Sequence, residues 1–312
     1  MRLAIIDCGT NTFNLLVIEL LGGRQYSRIY NTRFAVKLGE GAINEGYIAE
    51  EPFNRGLEAI RLFNEDIKRH QVDKTLAFAT SAIRDASNGA ELLRQIREQH
   101  GVHIDVIDGD REAELIYFGV REATKLGDHI SLIIDIGGGS TEFILANSSQ
   151  IFWKQSFNLG AARLLEKFMP SDPITGQEIE AIFSYLRSQL QPLIDSMKHY
   201  PAVELIGSSG AFDSIVEMIN TEMSGEPLSD KKTEYTIRAS DYFTISDLVR
   251  RSTLEERKKI KGLVPMRVDM IVISCLMVDF VMTALNLNRL RVSTYSLKEG
   301  ALVDFMSRAT NK

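Results

Sequence analysis

The chain has 312 residues, 44% of them hydrophobic and 25% charged, and a formal net charge of −6. This length predicts two domains, and the composition is typical of a folded globular protein rather than a disordered one. Because an acidic chain lacks the basic excess with which proteins bind nucleic acid non-specifically, we expect no nucleic-acid partner. Any polyanionic ligand therefore has to be held by a local basic lining.

The longest apolar run, residues 270–285, is shorter than the roughly 20 residues that span a bilayer, and it contains Asp279. It predicts a buried helix, and we expect no membrane association. The two cysteines, Cys8 and Cys275, are too far apart for a metal-binding pair and too few for a disulfide framework. Since the first residues also show no signal-peptide pattern, the expectation is a cytoplasmic protein.

In chain order, the first half alternates strands with helices. It opens with two strands around a glycine-containing turn at residues 4–17. The elements predicted after this hairpin are a strand at 25–41, an amphipathic helix at 51–70, a strand at 75–80, a helix ending at His100, a strand at 103–108 and a helix from Asp110.

The second half opens in the same way, with two strands around a glycine-rich turn at residues 132–145. The elements predicted next are a strand at 151–157, a helix from Gly160, a helix at 176–199 that Pro192 kinks or divides, a strand and helix start at 204–212, helix to Leu287, a strand at 290–293 and a helix from Leu297. Strands that alternate with helices in both halves predict two α/β domains.

The two hairpins share one pattern. AIIDCGTNTFNLLV and LIIDIGGGSTEFIL align at a constant offset of 128 positions, which places Asp7 on Asp135 and Gly9 on Gly137. Two unrelated hairpins could look alike, because Gly and Asp are common turn residues. An internal duplication explains more of the pattern. It predicts two similar domains, each of which presents an aspartate and a set of turn N–H groups to the cleft between them.

The glycine-rich turn indicates an anion site. Gly137, Gly138 and Gly139 can take positive φ and have no Cβ, so the turn can bring its N–H groups close to a phosphate, although such a link can also be only a turn. Two carboxylates that face one phosphate chain would repel it unless a divalent cation lay between them. We therefore expect Asp7 and Asp135 to hold Mg²⁺, which prefers oxygen ligands, or another divalent cation.

With these residues in view, the sequence resembles the exopolyphosphatase and guanosine pentaphosphate phosphohydrolase family of the actin-like superfamily. The resemblance covers nearly the whole chain and lies in short motifs, namely DCGTNT at 7–12, TSAIRDASN at 80–88, GDREAE at 109–114, DIGGGSTE at 135–142, GSSGA at 207–211 and GLVPMRVDM at 262–270. It is closest to the short two-domain form, since longer members add a C-terminal helical extension.

The resemblance implies an α/β fold of two actin-like (ribonuclease H-like) domains with an interdomain cleft. We expect the N-terminal domain to span residues 1–124 and the C-terminal domain 125–312. The closing helix at 297–312 is expected to pack back on the N-terminal domain. The exposed surface of such a two-domain protein is also compatible with a homodimer.

The resemblance also implies roles for single residues. Glu112 falls on the family's catalytic carboxylate, and Glu142 is expected to share the activation of water or to hold the water shell of the metal. The candidate phosphate-binding residues are Gly9, Thr10, Asn11, Thr12, Arg84, Gly137, Gly138, Gly139, Ser140, Thr141, Gly207, Ser208, Ser209 and Gly210.

Other interpretations of single residues stay open at this point. An acidic residue such as Glu112 is favoured in the first turn of any helix. Arg84 could instead form an ion pair with Asp85. Arg267, in the last of these motifs, could be a structural partner of Asp269. The sequence also departs from the family at Arg111 and Glu114, where the order of the charges is reversed.

The leading hypothesis is an Mg²⁺-dependent hydrolase that releases terminal orthophosphate from inorganic polyphosphate. The nearest alternative is the same chemistry on guanosine pentaphosphate. A third hypothesis is a non-catalytic sensor that binds an alarmone or a nucleotide. Because the same fold supports catalysis and sensing, the fold alone does not separate them.

Overall fold

The computed structural model describes residues 1–23, 25–224 and 232–310, so the last two residues of the predicted closing helix lie outside it. The strands are β1 (Arg2–Cys8), β2 (Thr12–Gly22), β3 (Gln25–Ala35), β4 (Lys74–Ala79), β5 (Asp105–Val106), β6 (Ser131–Ile136), β7 (Thr141–Ala146), β8 (Ile151–Phe157), β9 (Leu205–Ser208), β10 (Glu234–Arg238) and β11 (Arg289–Ser293). The helices are α1 (Glu50–Arg69), α2 (Ser81–Asp85), α3 (Gly89–His100), α4 (Gly109–Ala123), α5 (Ala161–Phe168), α6 (Gly176–Gln189), α7 (Gln191–His199), α8 (Gly210–Ser224), α9 (Ala239–Arg251), α10 (Leu254–Arg257), α11 (Ile271–Ala284) and α12 (Leu297–Thr310).

The strands form two sheets that share one strand order. The first sheet has the order β3-β2-β1-β4-β5, in which β2 is antiparallel to β1 and β3, and β4 runs parallel to β1 and β5. The second sheet has the order β8-β7-β6-β9-β11-β10 and repeats the same directions as far as β11. The strand β10 is an addition at its edge. The predicted mixed α/β architecture with two related units is therefore confirmed.

The two predicted hairpins also match in register. Asn14 stands opposite Asp7 in the first hairpin, and Glu142 stands opposite Asp135 in the second. In both turns, the N–H of the glycine two residues after the aspartate donates to a carbonyl oxygen three residues further on, at 3.1 Å and 3.0 Å. The duplication predicted from the offset is thus present in the backbone hydrogen bonds.

The core has three parts. One part packs α1 and α3 against the first sheet, and another surrounds α11 beside the second sheet. The third part lies between the sheets, where α4 and α12 bury apolar side chains against β1 and β6. The closing helix α12 thus packs against α4 and β1. The division of the chain at residue 124 stays a prediction, because α4 and α12 contact elements of both halves.

The apolar run predicted as a buried helix is α11. Twelve of its fourteen residues are buried, and a helix that is apolar on all sides is typical of a protein interior. Among the residues that the structure describes, no helix is both long enough and apolar enough to cross a membrane.

One predicted strand differs from the structure, and one of the two outcomes predicted for the helix at 176–199 is observed. The strand predicted at 25–41 ends at Ala35, because the N–H groups of the next residues turn away and donate to the carbonyl oxygens of Thr10 and Asn11. The helix predicted at 176–199 is divided into α6 and α7 rather than kinked. Pro192 lies in the first turn of α7, where the missing N–H breaks no intrahelical hydrogen bond.

The packing of α12 on α4 predicts a test of stability. A Cβ added at Gly300 would lie 1.7 Å from the carbonyl oxygen of Leu115, so the two helix backbones are in direct contact there. We expect Gly300→Ala to lower the free energy of unfolding by about 1–3 kcal/mol or more, because the helices have to move apart. Urea denaturation measures the change. The matched control is Gly176→Ala, since no atom lies within 4 Å of a Cβ at that position of α6. Equal stability of the two variants would contradict this account of the helix contact.

Candidate active site

The two sheets face a cavity of about 980 Å³. One wall is formed by residues of β1, β2 and β3, and the opposite wall by residues of β6, β7 and the start of α8. The first residues of α12 and one side of α4 complete the lining. The cavity thus lies where the matching ends of the two hairpins meet, as the duplication predicted.

The two glycine turns, which both line this cavity, are in direct contact with each other. A Cβ on Gly138 would fall 2.5 Å from Asn11 Nδ2, and one on Gly139 would fall 2.7 Å from Thr10 Oγ1. Asn11 Nδ2 also contacts Met270 Sδ at 2.9 Å. None of the three glycines at 137–139 has a positive φ, so that part of the expectation is wrong. Close approach of the opposite turn, together with tight packing of their own turn, explains why glycine stands there.

Ten of the predicted phosphate-binding residues line the cavity. These residues are Gly9, Thr10, Asn11, Thr12, Gly137, Gly138, Gly139, Ser140, Ser209 and Gly210. They come from three separate turns, each of which follows a strand. The structure therefore brings together the first two predicted phosphate turns and the end of the third.

The other four predicted phosphate-binding residues do not line the cavity, and their part in phosphate binding stays a prediction. Thr141 is fully buried and donates to the carbonyl oxygen of Leu159 at 3.0 Å. Ser208 is also fully buried and donates to a backbone carbonyl at 3.1 Å. Gly207 is required because a Cβ there would lie 2.1 Å from the ring of Phe212. These three residues have structural roles in the second sheet.

The fourth of these residues, Arg84, lies behind a carboxylate of the lining. Its Nη1 donates to Glu112 Oε2 at 3.0 Å and to the carbonyl oxygen of Ile107 at 3.0 Å. Its Nε is 3.4 Å from Asp85 Oδ1, so the alternative pairing is also present. In this structure Arg84 orients Glu112 and does not face the cavity directly.

Glu112 owes its place to the start of α4. Asp108 caps this helix by accepting a hydrogen bond from the Arg111 N–H at 2.7 Å, which sets Glu112 in the first turn. Burial raises the pKa of Glu112 well above its ordinary value, and the charge of Glu142 raises it further, while Arg84 lowers it. Glu112 therefore holds its proton more tightly than an ordinary glutamate does.

The two aspartates lie on opposite walls of the cavity. Burial raises the pKa of Asp7 to about 6, against the lowering effect of the nearby Lys298 and of a hydrogen bond from Asn14 Nδ2 at 3.1 Å. Burial raises the pKa of Asp135 to about 7, and the charge of Glu142 adds to the rise. The cavity thus concentrates carboxyl groups that repel one another.

These carboxylates form no preformed metal cage. Within residues 1–23, 25–224 and 232–310, no three His, Cys, Asp or Glu side chains are placed to hold a metal ion among themselves. Mg²⁺ commonly binds through one or two carboxylates together with water and substrate phosphates. The half-buried Asp7 and the buried Asp135, which face one cavity from opposite sides, fit such an ion, which would bind together with the substrate.

Arg267 lines the cavity next to the third turn. Its guanidinium lies directly over Gly210, where a Cβ would fall 1.5 Å from Nη2, and Nη1 donates to Ser214 Oγ at 3.2 Å. Burial lowers the pKa of Arg267 to about 10, although the charge of Asp213 opposes this effect. Of the interpretations left open for Arg267, the pairing with Asp269 is absent, because Asp269 pairs with Lys37 at 3.1 Å.

The reversed charges at Arg111 and Glu114 lie outside the cavity lining. Arg111 pairs with Glu114 at 3.2 Å and also with Asp304 of α12. Glu114 in turn accepts a hydrogen bond from Lys154 Nζ of β8 at 2.6 Å. The departure from the family pattern therefore connects α4 to its neighbours and leaves Glu112 in contact with the cavity.

In each sheet, the aspartate of the hairpin and the two residues directly opposite it on the next two strands form a row. The first row is Asp7, Asn14 and Arg33, and the second row is Asp135, Glu142 and Ser156. Of these six residues, the sequence pattern marks only Asp7, Asp135 and Glu142. The offset of 128 could have found Asn14, since it places Asn14 on Glu142. No spacing in the sequence marks Arg33, Ser156 or the cavity residue Lys298.

Comparison with known proteins agrees with this geometry. A crystal structure of an exopolyphosphatase from Cytophaga hutchinsonii superposes with a TM-score of 0.96 at 37% identity, over 99% of this chain and 98% of that one. A Ppx/GppA family member from Aquifex aeolicus has the same fold, with a TM-score of 0.82 at 23% identity over 100% of this chain and 99% of that one.

Sequence comparison points the same way. Exopolyphosphatase 1 of Mycobacterium tuberculosis is 25% identical over 304 residues, which cover 97% of this chain and 88% of that protein. The superpositions and the strand order confirm the predicted α/β fold with two related sheets, while the division into two actin-like domains stays an expectation. The sequence profile of the Ppx/GppA phosphatase family matches residues 17–309, and the chain therefore belongs to the Ppx/GppA phosphatase family.

Proposed function

We propose that this protein is an exopolyphosphatase, which hydrolyses the terminal phosphoanhydride bond of inorganic polyphosphate. The observation that carries the proposal is the pair of matching turns, each with its aspartate, on opposite walls of one cavity that also contains Glu112 and Glu142. The relatives from Cytophaga and Mycobacterium that are named exopolyphosphatases support this substrate.

The terminal phosphate would bind in the cavity, against both turns. The N–H groups of Gly9 and Gly137 close their own turns, so those at 10–12 and 138–140 would donate to its oxygens, and the hydroxyls of Thr10 and Ser140 would add two further donors. Phosphoryl transfer needs positioning and charge stabilisation more than covalent chemistry from the protein. Two rigid turns in contact provide the positioning, because neither can move without displacing the other.

Asp7 and Asp135 would hold Mg²⁺, which neutralises charge on the phosphate oxygens when it is bound. Burial and repulsion by neighbouring carboxylates raise the pKa values of both aspartates, and a cation bound between them would offset these effects. Lys298 lies close enough to Asp7 to lower its pKa and supplies a fixed positive charge on the same side of the cavity.

Glu112 would accept a proton from the attacking water. Its Oε2 is held by Arg84 Nη1 at 3.0 Å, and Oε1 has no hydrogen-bond partner among the described residues. A carboxylate whose pKa is raised by burial is a stronger general base than an ordinary one. Glu142, whose pKa is also raised by burial, would help to orient this water.

The cavity is suited to an extended polyanion. Arg28 and Arg33 of β3 line it, and neither side chain forms an ion pair or hydrogen bond within the described part of the chain. In a protein with a net charge of −6, unpaired cations in a cavity indicate where a negative ligand lies. Arg33 stands two strands away from Asp7, roughly 10 Å across the sheet. A polyphosphate with its end at Asp7 could reach it.

A second candidate substrate is guanosine pentaphosphate. Tyr26 and Tyr295 line the same cavity, with their hydroxyl oxygens 3.5 Å apart. Aromatic rings at the side of a phosphate site can stack on a nucleobase. This feature favours the nucleotide as the alternative, and the two substrates can be compared directly.

The first prediction concerns catalysis. The purified protein is expected to release orthophosphate in the presence of Mg²⁺, and we expect faster release from long polyphosphate than from guanosine pentaphosphate. Glu112→Gln should lower kcat about 10²–10⁴-fold, the usual contribution of a general base. Glu180→Gln on the exposed face of α6 is the matched control and should keep full activity. A wild-type protein that binds these ligands but releases no phosphate would leave the sensor hypothesis instead.

The second prediction concerns chain length. We expect Arg33→Gln to raise KM for long polyphosphate about tenfold, because the variant loses one charge-assisted hydrogen bond. KM for tripolyphosphate should change less, because a short chain bound at Asp7 does not need this contact. Arg97→Gln, a cation on the exposed face of α3, is the control. If both substrates were affected alike, Arg33 would not bind the distal part of the chain.

The third prediction concerns pH and metal. Folding raises the pKa of Asp135 from 3.8 to about 7, so the native state holds this proton more tightly than the unfolded state. Stability is therefore lost as pH rises from about 4 to about 7. Without divalent cations at pH 8, we expect Asp135→Asn to be more stable than the wild type, by up to about 4 kcal/mol.

Thermal unfolding at pH 4 and at pH 8, with and without Mg²⁺, measures this effect. The difference between the two proteins should shrink toward pH 4, and Mg²⁺ should stabilise only the wild type at pH 8. If the difference in stability between the wild type and Asp135→Asn were the same at both pH values, the negative charge of Asp135 would not destabilise the folded protein.

A further inference from the structure

We propose that Ser156 is a positioning residue that holds Glu142 in its reactive orientation and seats the helix that carries Glu112. The inference rests on the proposed function, in which both carboxylates act on the attacking water. It assigns a role to a residue of β8 that does not itself line the cavity and that no motif in the sequence marks.

The first support is the contact with Glu142. Ser156 stands directly opposite Glu142 on adjacent antiparallel strands, so their side chains share one face of the sheet. Ser156 Oγ donates to Glu142 Oε1 at 2.6 Å, and Glu142 is only 1% exposed. A buried carboxylate that accepts a short hydrogen bond from a neighbouring strand has little freedom to change its side-chain conformation.

The second support is the contact with the start of α4. A Cβ added at Gly109 would lie 2.4 Å from Ser156 Cβ and 2.9 Å from its Oγ. The first residue of α4 is therefore seated directly on Ser156, and only glycine permits this approach. Glu112 lies three residues further along the same helix. One small side chain thus contacts both Glu142 and the first residue of the helix that positions Glu112.

The third support comes from the duplication. In the second row, the position opposite Glu142 is Ser156, whereas the matching position of the first row, opposite Asn14, is Arg33. A long cation at this place can reach into the cavity toward an anion, and a short hydroxyl can only hold its neighbour. The two rows have diverged into one that binds charge and one that orients a carboxylate.

Lys154 provides the matched control, since it lies on the same face of β8 two residues earlier. Its Nζ donates to Glu114 Oε1 at 2.6 Å and to the carbonyl oxygen of Asp110 at 3.0 Å. It therefore connects β8 to α4 without contacting Glu142 or Glu112. Lys154→Met loosens the same contact between strand and helix and leaves the hydroxyl of Ser156 in place.

The experiment compares Ser156→Ala and Lys154→Met with the wild type. For Ser156→Ala we expect kcat for orthophosphate release to fall about tenfold or more, the loss of a hydrogen bond to a charged group, with KM within about twofold. Lys154→Met should keep its kcat within about twofold of the wild type. A purely structural role would instead lower stability in both variants without this separation of kcat from KM.

Crystal structures of the wild type and of Ser156→Ala give a second readout that does not depend on turnover. We expect the Glu142 carboxylate to leave its place opposite Ser156 in the variant. The proposal is overturned if this carboxylate stays in place, if Ser156→Ala keeps wild-type kcat, or if Lys154→Met loses kcat equally. A wild type without activity would refute the proposed function, and the position of Glu142 would still decide the role of Ser156.

Discussion

The direct contact between the two glycine turns is the constraint on which the rest of the structure depends. Asn11 lies against Gly138, and Thr10 lies against Gly139, at distances that leave no room for a Cβ. Arg163 reinforces this contact from outside, because its guanidinium donates to the carbonyl oxygens of Gly139 and Ile43 at 3.0 Å and 3.1 Å. The contact brings the ends of the two hairpins to one place, and with them the two aspartates.

This arrangement has an electrostatic consequence. Asp7, Glu112, Asp135 and Glu142 line one cavity, and burial raises the pKa of every one of them. A fold that maintains such repulsion without a ligand is under strain at this site, as expected where a cation and a substrate later supply the missing interactions. The fixed positive charges of Arg84 and Lys298 offset part of the repulsion, and the unpaired Arg33 remains for the substrate.

The sequence predicts the parts of the site that follow from local pattern. The offset of 128 positions reveals both hairpins and places the two aspartates together, because a duplicated strand and turn leave the same residues at the same spacing. The sequence also predicts α11, because its apolar residues continue on all sides of the helix. Helix α4 begins at Gly109, one position before the predicted start at Asp110, because Asp108 is the residue that caps it.

The remaining parts depend on contacts between distant segments. Gly207 lies in a motif that suggests phosphate binding, yet the ring of Phe212 is what requires a glycine there. Thr141 follows the glycine turn directly, but strand alternation turns its hydroxyl toward Leu159. Lys298 reaches the cavity only because α12 packs against α4 through Gly300. No local pattern reports such packing, so these positions could be assigned only from the structure.

The most direct test of the central claim is a crystal structure with Mg²⁺ and a methylene-bridged tripolyphosphate that cannot be hydrolysed. We expect a terminal phosphate in the cavity against both turns, within hydrogen-bond distance of N–H groups at both 10–12 and 138–140. We also expect Mg²⁺ bound to Asp7 and Asp135, directly or through water. A phosphate bound outside this cavity, or against one turn only with both aspartates free of metal, would contradict the account.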